Sequence, residues 1–180
     1  MEGTVTAELG WDHAIQDIPE TGLSVERTAS PQEQEAIARA LDLIACSSLA
    51  VRYTIVPSDG GHFRLTGTLN ARVEQACVVT LEPLTNEVSE SFTVDYWPET
   101  DIPAPAGGVL DVHDEPDLEP IVAGRIEVGR VVFQSLAGSI DLFPRKPGAT
   151  FQPPPASPED GGPGKAEGPF AALAKMRGKR

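Results

Sequence analysis

Few residues in this chain have the types and spacing that chemistry requires. The cysteines, Cys46 and Cys77, belong to no Cys-x-x-Cys pair, and His13, His62 and His113 show no metal-ligand spacing. A structural zinc site takes about four ligands, and a catalytic thiol needs a base beside it. Cys77 therefore reads as a buried strand residue that packs like a small hydrophobe, and Cys46 reads the same way at a helix end. Asp111, Asp114, Glu115, Asp117 and Glu119 crowd around His113. A calcium loop would need a central glycine and a fixed ladder of oxygen ligands, and Pro116 interrupts the run. It reads as a solvated acidic loop. Gly60-Gly61 is too short to cradle phosphate, Gly124-Arg125 lacks a nucleotide-binding context, and no serine sits in a G-x-S-x-G elbow. The pattern predicts neither an enzyme nor a cofactor or metal.

Charge carries more information. Residues 1–140 hold 7 Arg, no Lys and 23 Asp or Glu, a net of −16, whereas residues 141–180 net +3. An acidic body repels phosphate and suits a basic partner, or simply maintains solubility. The cations that can meet phosphate are Arg145, Lys146, Lys165, Lys175, Arg177, Lys179 and Arg180. Phe170, Leu173 and Met176 recur among the last of these at helical spacing, which makes a short basic amphipathic end. Such asymmetry points to a tail that binds nucleic acid or a partner.

The elements that must position these residues follow from periodicity. Residues 11–28 alternate in short stretches broken by Pro19 and Gly22, as edge strands with turns do. Ser30, Pro31 and Glu33 form an N-terminal capping signal, and Ile37, Leu41 and Ile44 continue it, predicting a helix from Pro31 to Ala45. Leu49, Val51, Tyr53 and Ile55 alternate with polar residues, as do Phe63, Leu65, Leu69, Ala71 and Val73, with a turn at Pro57–Gly61 between them. Gly67 stands on the apolar side, which suggests a close approach or a bulge. The alternation loses phase near Gln75–Cys77, Glu82-Pro83 ends the strand, and Thr85-Asn86 reads as the next turn. Val88, Phe92, Val94 and Tyr96 mark a further strand. Residues 98–120 read as a loop. Val128, Val132, Leu136 and Ile140 predict a second helix, weakened by Gly129 and Gly138 and stopped by Pro144.

From Pro144 onward, 37 residues include 8 Pro and 6 Gly, a composition of linker or disorder. The expected fold is α+β: an antiparallel β-sheet meander packed with two main helices over residues 1–148, then a disordered tail over 149–180. No run of about 18 apolar residues marks a membrane span, and Met1–Gly10 does not read as a secretory leader. With two cysteines and no disulfide framework, a cytoplasmic location is expected.

The run Gly67-Thr68-Leu69-Asn70-Ala71-Arg72-Val73-Glu74-Gln75-Ala76-Cys77-Val78-Val79-Thr80-Leu81-Glu82-Pro83-Leu84 resembles the central signature of the bacterial YceD family, the large ribosomal RNA subunit accumulation proteins. Gly124 to Gly129, leading through a helix to Asp141-Leu142-Phe143-Pro144-Arg145-Lys146-Pro147-Gly148, is similar to the second block of that family, and Pro169 to Met176 to its C-terminal motif. The resemblance runs from about residue 11 to the end. Many members carry a second cysteine three residues after the first, which suggests zinc. Thr80 stands there in this chain, and Pro147-Gly148 replaces a later cysteine region, so the pattern resembles a branch without zinc ligands. The resemblance implies a non-enzymatic ribosome-assembly factor that supports synthesis, processing or stability of 23S ribosomal RNA. Its partner would be that RNA or a large-subunit precursor. The alternative is an acidic adapter for a basic large-subunit ribosomal protein, without direct RNA contact.

If the tail makes the phosphate contact, four engaged cations should give a log–log salt slope of about −3 on single-stranded RNA. Neutralising Lys175, Arg177, Lys179 and Arg180 together should weaken binding to rRNA fragments and flatten that slope. Titrations at several salt concentrations check this, and an unchanged affinity and slope would move the contact elsewhere.

Overall fold

The computed structural model describes residues 9–102 and 117–151. Residues 103–116, the middle of the loop expected at 98–120, and residues 152–180, most of the expected tail, lie outside the described residues, and with them Lys165, Phe170, Lys175, Arg177, Lys179 and Arg180. Strands β1 (Asp12–Ala14), β2 (Leu23–Thr28), β3 (Ala45–Ser58), β4 (His62–Ala76), β5 (Pro83–Trp97), β6 (Asp117–Pro120) and β7 (Arg125–Glu127) accompany helices α1 (Pro31–Ala40) and α2 (Val128–Ser139). The fold is α+β. Five strands form one sheet in the order β2-β3-β4-β5-β6, antiparallel throughout except for the parallel β5–β6 pair, and β1 pairs with β7 in a small ribbon.

Period-two alternation decides which face is buried. Leu49, Val51, Tyr53 and Ile55 of β3, Leu65, Leu69 and Val73 of β4, and Val94 and Tyr96 of β5 form the inner row, against Val128, Val131, Val132 and Leu136 of α2. Ile37 of α1 is fully buried in the same core. The opposite face carries Arg52, Arg64, Thr66, Thr68 and Arg72 in solvent, as one-sided antiparallel sheets do.

Local chemistry sets the boundaries. The Ser30 hydroxyl accepts the Glu33 N–H at 3.3 Å and the Glu33 carboxylate accepts the Ser30 N–H at 2.7 Å, so the predicted capping box forms. Helix α1 nevertheless stops at Ala40 rather than Ala45. Asp42 turns left-handed (φ 52°), and the Ile44 N–H leaves the helical ladder to reach the Glu74 carbonyl at 2.9 Å. Ile44 is consequently exposed instead of lying on the helix stripe.

Three further expectations are corrected around β4 and β5. Thr85 and Asn86 are not a turn: they pair in register with Glu74 and Val73 inside β5. The chain reverses at Cys77–Glu82 instead, where Leu81 takes a left-handed φ of 59°. Nor does the alternation of β4 break at Gln75. This residue continues the inner row as a buried polar side chain, donating to the Asp141 carbonyl at 2.8 Å and accepting from the Asn86 amide at 2.9 Å. Both amide functions are satisfied, so it does not carry the cost of an orphaned polar group. Finally, Asp117–Pro120, read from sequence as loop, forms β6.

Two glycines are required by close approach. A Cβ on Gly67 would lie 2.4 Å from Phe92 Cζ and 2.9 Å from the Arg52 carbonyl oxygen, and the ladder passes Gly67 without a bulge. A Cβ on Gly129, the residue expected to weaken α2, would lie 2.0 Å from the Leu9 carbonyl oxygen. Its value there is contact, and its N–H bonds the Trp11 carbonyl at 2.9 Å. Gly67→Ala should destabilise the protein by about 2 kcal/mol, because overpacking a well-filled core typically costs 1–3 kcal/mol. Gly67→Ala with Phe92→Leu should cost less than the two single changes added together. Denaturant unfolding of the three variants checks this, and additive costs would mean that Phe92 is not the obstacle.

Candidate functional site

The turn between β4 and β5 is closed by its own backbone. The Cys77 N–H bonds the Glu82 carbonyl at 2.9 Å, and the Leu81 N–H bonds the Cys77 carbonyl at 2.8 Å. The stretch that leaves α2 then docks on this turn. The Val78 N–H donates to the Pro144 carbonyl at 2.9 Å, the Lys146 N–H to the Cys77 sulfur at 3.4 Å, and the Lys146 ammonium to the Glu82 carboxylate at 3.0 Å. Gln75, one residue before the end of β4, donates its side-chain amide to the Asp141 carbonyl. Within the run that carries the resemblance, Cys77, Thr80, Leu81, Glu82 and Pro83 thus lie at the corner where Arg145 and Lys146 dock. Gly67 does not join them; it lies within the body of the sheet and seats Phe92.

Cys77 is buried, as expected, yet it is neither a strand residue nor a member of the apolar core. Its sulfur is covered by polar groups of the turn. The Thr80 hydroxyl hydrogen bond lowers the thiol pKa most, followed by the N–H groups of Lys146, Thr80 and Val79. Together they outweigh desolvation and bring it from 9.0 to about 6. The thiolate form is therefore the one this pocket of donors fits. Cys46 is the opposite case, since burial pushes its thiol up.

The donor set does not fit a zinc ion. Only Cys77 offers a thiolate, Thr80 spends its hydroxyl on that sulfur, and Pro147-Gly148 carry no donor side chain. Among the described residues, no three His, Cys, Asp or Glu side chains cluster as metal ligands would.

What the corner presents outward is apolar and cationic. Leu81 is 78% exposed, Leu142 78% and Phe143 70%, with Val78 half-exposed beside them. The Asp141 carboxylate accepts the Phe143 N–H at 2.9 Å, which fixes the bend that aims this pair away from the core. Arg145 is exposed next to them and forms no ion pair among the described residues. Val78, Leu142 and Phe143 stand in the runs that carry the resemblance but are not among the residues expected to bind. The signal available was two large apolar residues standing after the helix stripe ends and before Pro144, with no periodic partner.

The solvent face of the sheet offers less. Arg52 pairs with Glu26 at 3.0 Å, Arg72 with Glu87 at 3.8 Å, and Arg64 grips Asp95 with two bonds of 2.7 and 2.8 Å. Exposed pairs of this kind add little stability. They do neutralise each arginine, so this face is a poor surface for phosphate. No helix among the described residues is long and apolar enough to cross a membrane.

No protein-family model matches the chain, and no curated protein or solved structure matches it either.

The depressed thiol pKa sets a direction for pH dependence. A folded-state value below the unfolded one contributes stability that is complete above the unfolded pKa near 9 and is lost as pH falls through about 6. The stability gap between the protein and Cys77→Ala should accordingly widen from pH 6 to pH 9 and stay flat below. Denaturant unfolding across that range checks it; a gap independent of pH would show that the thiol is not poised by its donors.

Proposed function

We propose that the protein is a non-enzymatic, cytoplasmic assembly factor for the large ribosomal subunit. In this reading it supports synthesis, processing or stability of 23S ribosomal RNA, as its resemblance to the YceD family implies. One observation carries this. The central run that bears the resemblance and the end of the second, Asp141 to Gly148, meet at a single corner although β5, β6, β7 and α2 lie between Leu84 and Asp141, and this corner carries the exposed Leu81, Leu142, Phe143 and Arg145. Large apolar side chains held in solvent mark a contact surface, and arginine next to them suits both RNA and protein partners. The corner has no built nucleophile with a base, which favours binding over catalysis.

Division of labour follows from charge. The corner supplies shape and apolar contact, and the basic tail supplies phosphate contact to 23S RNA or its precursor. A second reading is favoured by a different observation. The arginines of the sheet face are each paired with a carboxylate and the body nets −16, which suits an adapter for a basic large-subunit ribosomal protein.

A triple variant, Leu81→Ser, Leu142→Ser and Phe143→Ser, tests the first reading. All three side chains are exposed, so the melting transition should hold. Co-sedimentation with large-subunit precursor particles should fall about tenfold or more, since a few anchors dominate most interfaces. Unchanged co-sedimentation would remove the corner from the interface. Ribonuclease treatment separates the readings: RNA-dependent recovery supports direct contact, and recovery of one basic ribosomal protein after digestion supports the adapter.

A further inference from the structure

Strand β5 has an edge that the rest of the sheet does not use. It runs from Pro83 to Trp97, but β6 pairs with it only from Val94 to Trp97. From Pro83 to Thr93 the outer edge has no strand partner among the described residues. Alternate residues along such an edge aim their N–H and C=O groups outward, ready to pair with another chain. Beside this edge, between β5 and α2, lies a groove of about 730 Å³.

The groove is acidic in a particular way. Glu90 occupies the inner row of β5, in register with the buried Leu69 and between the buried Val88 and Phe92, yet it is exposed. Asp117 is in register with Val94, on the same side of the sheet. Neither carboxylate has an ion-pair partner among the described residues, in contrast to Glu119, which is gripped by Arg130 at 2.7 Å. Gln134, Ser135 and Ser139 of α2 form the facing wall, and no lysine or arginine lines the space.

We propose that this edge takes up an extended, lysine- or arginine-rich segment of a partner protein as an added strand, paired to β5 over Glu87–Thr93. Side chains of a strand alternate in direction, so cations at every second position would enter the groove and meet Glu90 and Asp117, while the backbone ladder supplies sequence-independent affinity. The inference rests on the adapter reading above and gives it a site. An inward-facing charge can also serve merely to keep sheet edges from joining. That role predicts no uptake of a basic strand, and the experiment distinguishes the two.

The probe is a 12-residue peptide of alternating lysine and threonine, titrated into the full-length protein. Exchange of the alternate amides within Glu87–Thr93 that point away from β4 should be fast in the free protein and slow when the peptide is bound. Glu90→Lys with Asp117→Lys should weaken binding about tenfold. Glu26→Lys with Glu99→Lys, an equal change in net charge on other exposed positions, should change it less than twofold. The same peptide with alternate nitrogens methylated keeps its charge but cannot complete a ladder, and should bind at least tenfold more weakly to the unmodified protein. Four results would overturn the proposal: slow exchange of those outward-facing amides before peptide is added, no binding of the peptide, equal binding of the methylated peptide, or equal weakening by the two charge reversals. The ribonuclease experiment with ribosomal proteins tests the adapter reading separately. Capture that survives Glu90→Lys with Asp117→Lys would leave the adapter standing and discard this groove.

Discussion

The docking of the chain after α2 onto the β4–β5 turn is the contact on which the candidate site depends. It consists of a few bonds, Val78 N–H to the Pro144 carbonyl, Lys146 N–H to the Cys77 sulfur, and Gln75 to the Asp141 carbonyl, with the Lys146–Glu82 pair at the rim. Each neutral bond contributes on the order of 1 kcal/mol net, and the bond to sulfur gains when the thiol ionises. Together with the burial of Pro144 they hold the stretch that carries Leu142 and Phe143 against the turn that carries Leu81, since that stretch otherwise adds only Ile140 to the margin of the core. The turn also has a conformational reason to be stiff. Leu81 is left-handed, a state that costs a residue with a Cβ about 1–2 kcal/mol and persists where the surroundings over-determine it.

Charge divides the rest of the surface. The solvent face of the sheet carries arginines that are already paired, Glu90 of β5 and Asp117 of β6 have no ion pair among the described residues, and the exposed cation of the described residues at the corner is Arg145. A partner with both basic protein and RNA components would meet complementary charge at different places on this chain.

Much of the architecture was legible in the residues. The capping box at Ser30–Glu33, the inner rows of β3 and β4, and the stripe of α2 follow from local rules that tertiary packing did not override. Gly67 was legible as a close approach, although not which ring it accommodates. The errors share one cause. Ile44, Thr85, Asn86 and Gln75 each look locally like something else, and each is decided by a partner distant in sequence: the Glu74 carbonyl for Ile44, β4 for Thr85 and Asn86, and Asp141 for Gln75. Cys77 was misread for the same reason. Its burial was correct, but the polar donors that cover its sulfur come partly from Lys146, which no local pattern connects to it. The site was visible only as two separate blocks, and their meeting is a property of the fold.

Amide exchange in the presence and absence of large-subunit precursor particles tests the central claim most directly. If the corner is the docking surface, protection on binding will concentrate at Val78–Glu82 and Asp141–Lys146, while the sheet face around Arg52 and Thr68 stays unchanged. Protection confined to the sheet face, or absent from both corner segments while the particle is bound, would contradict it.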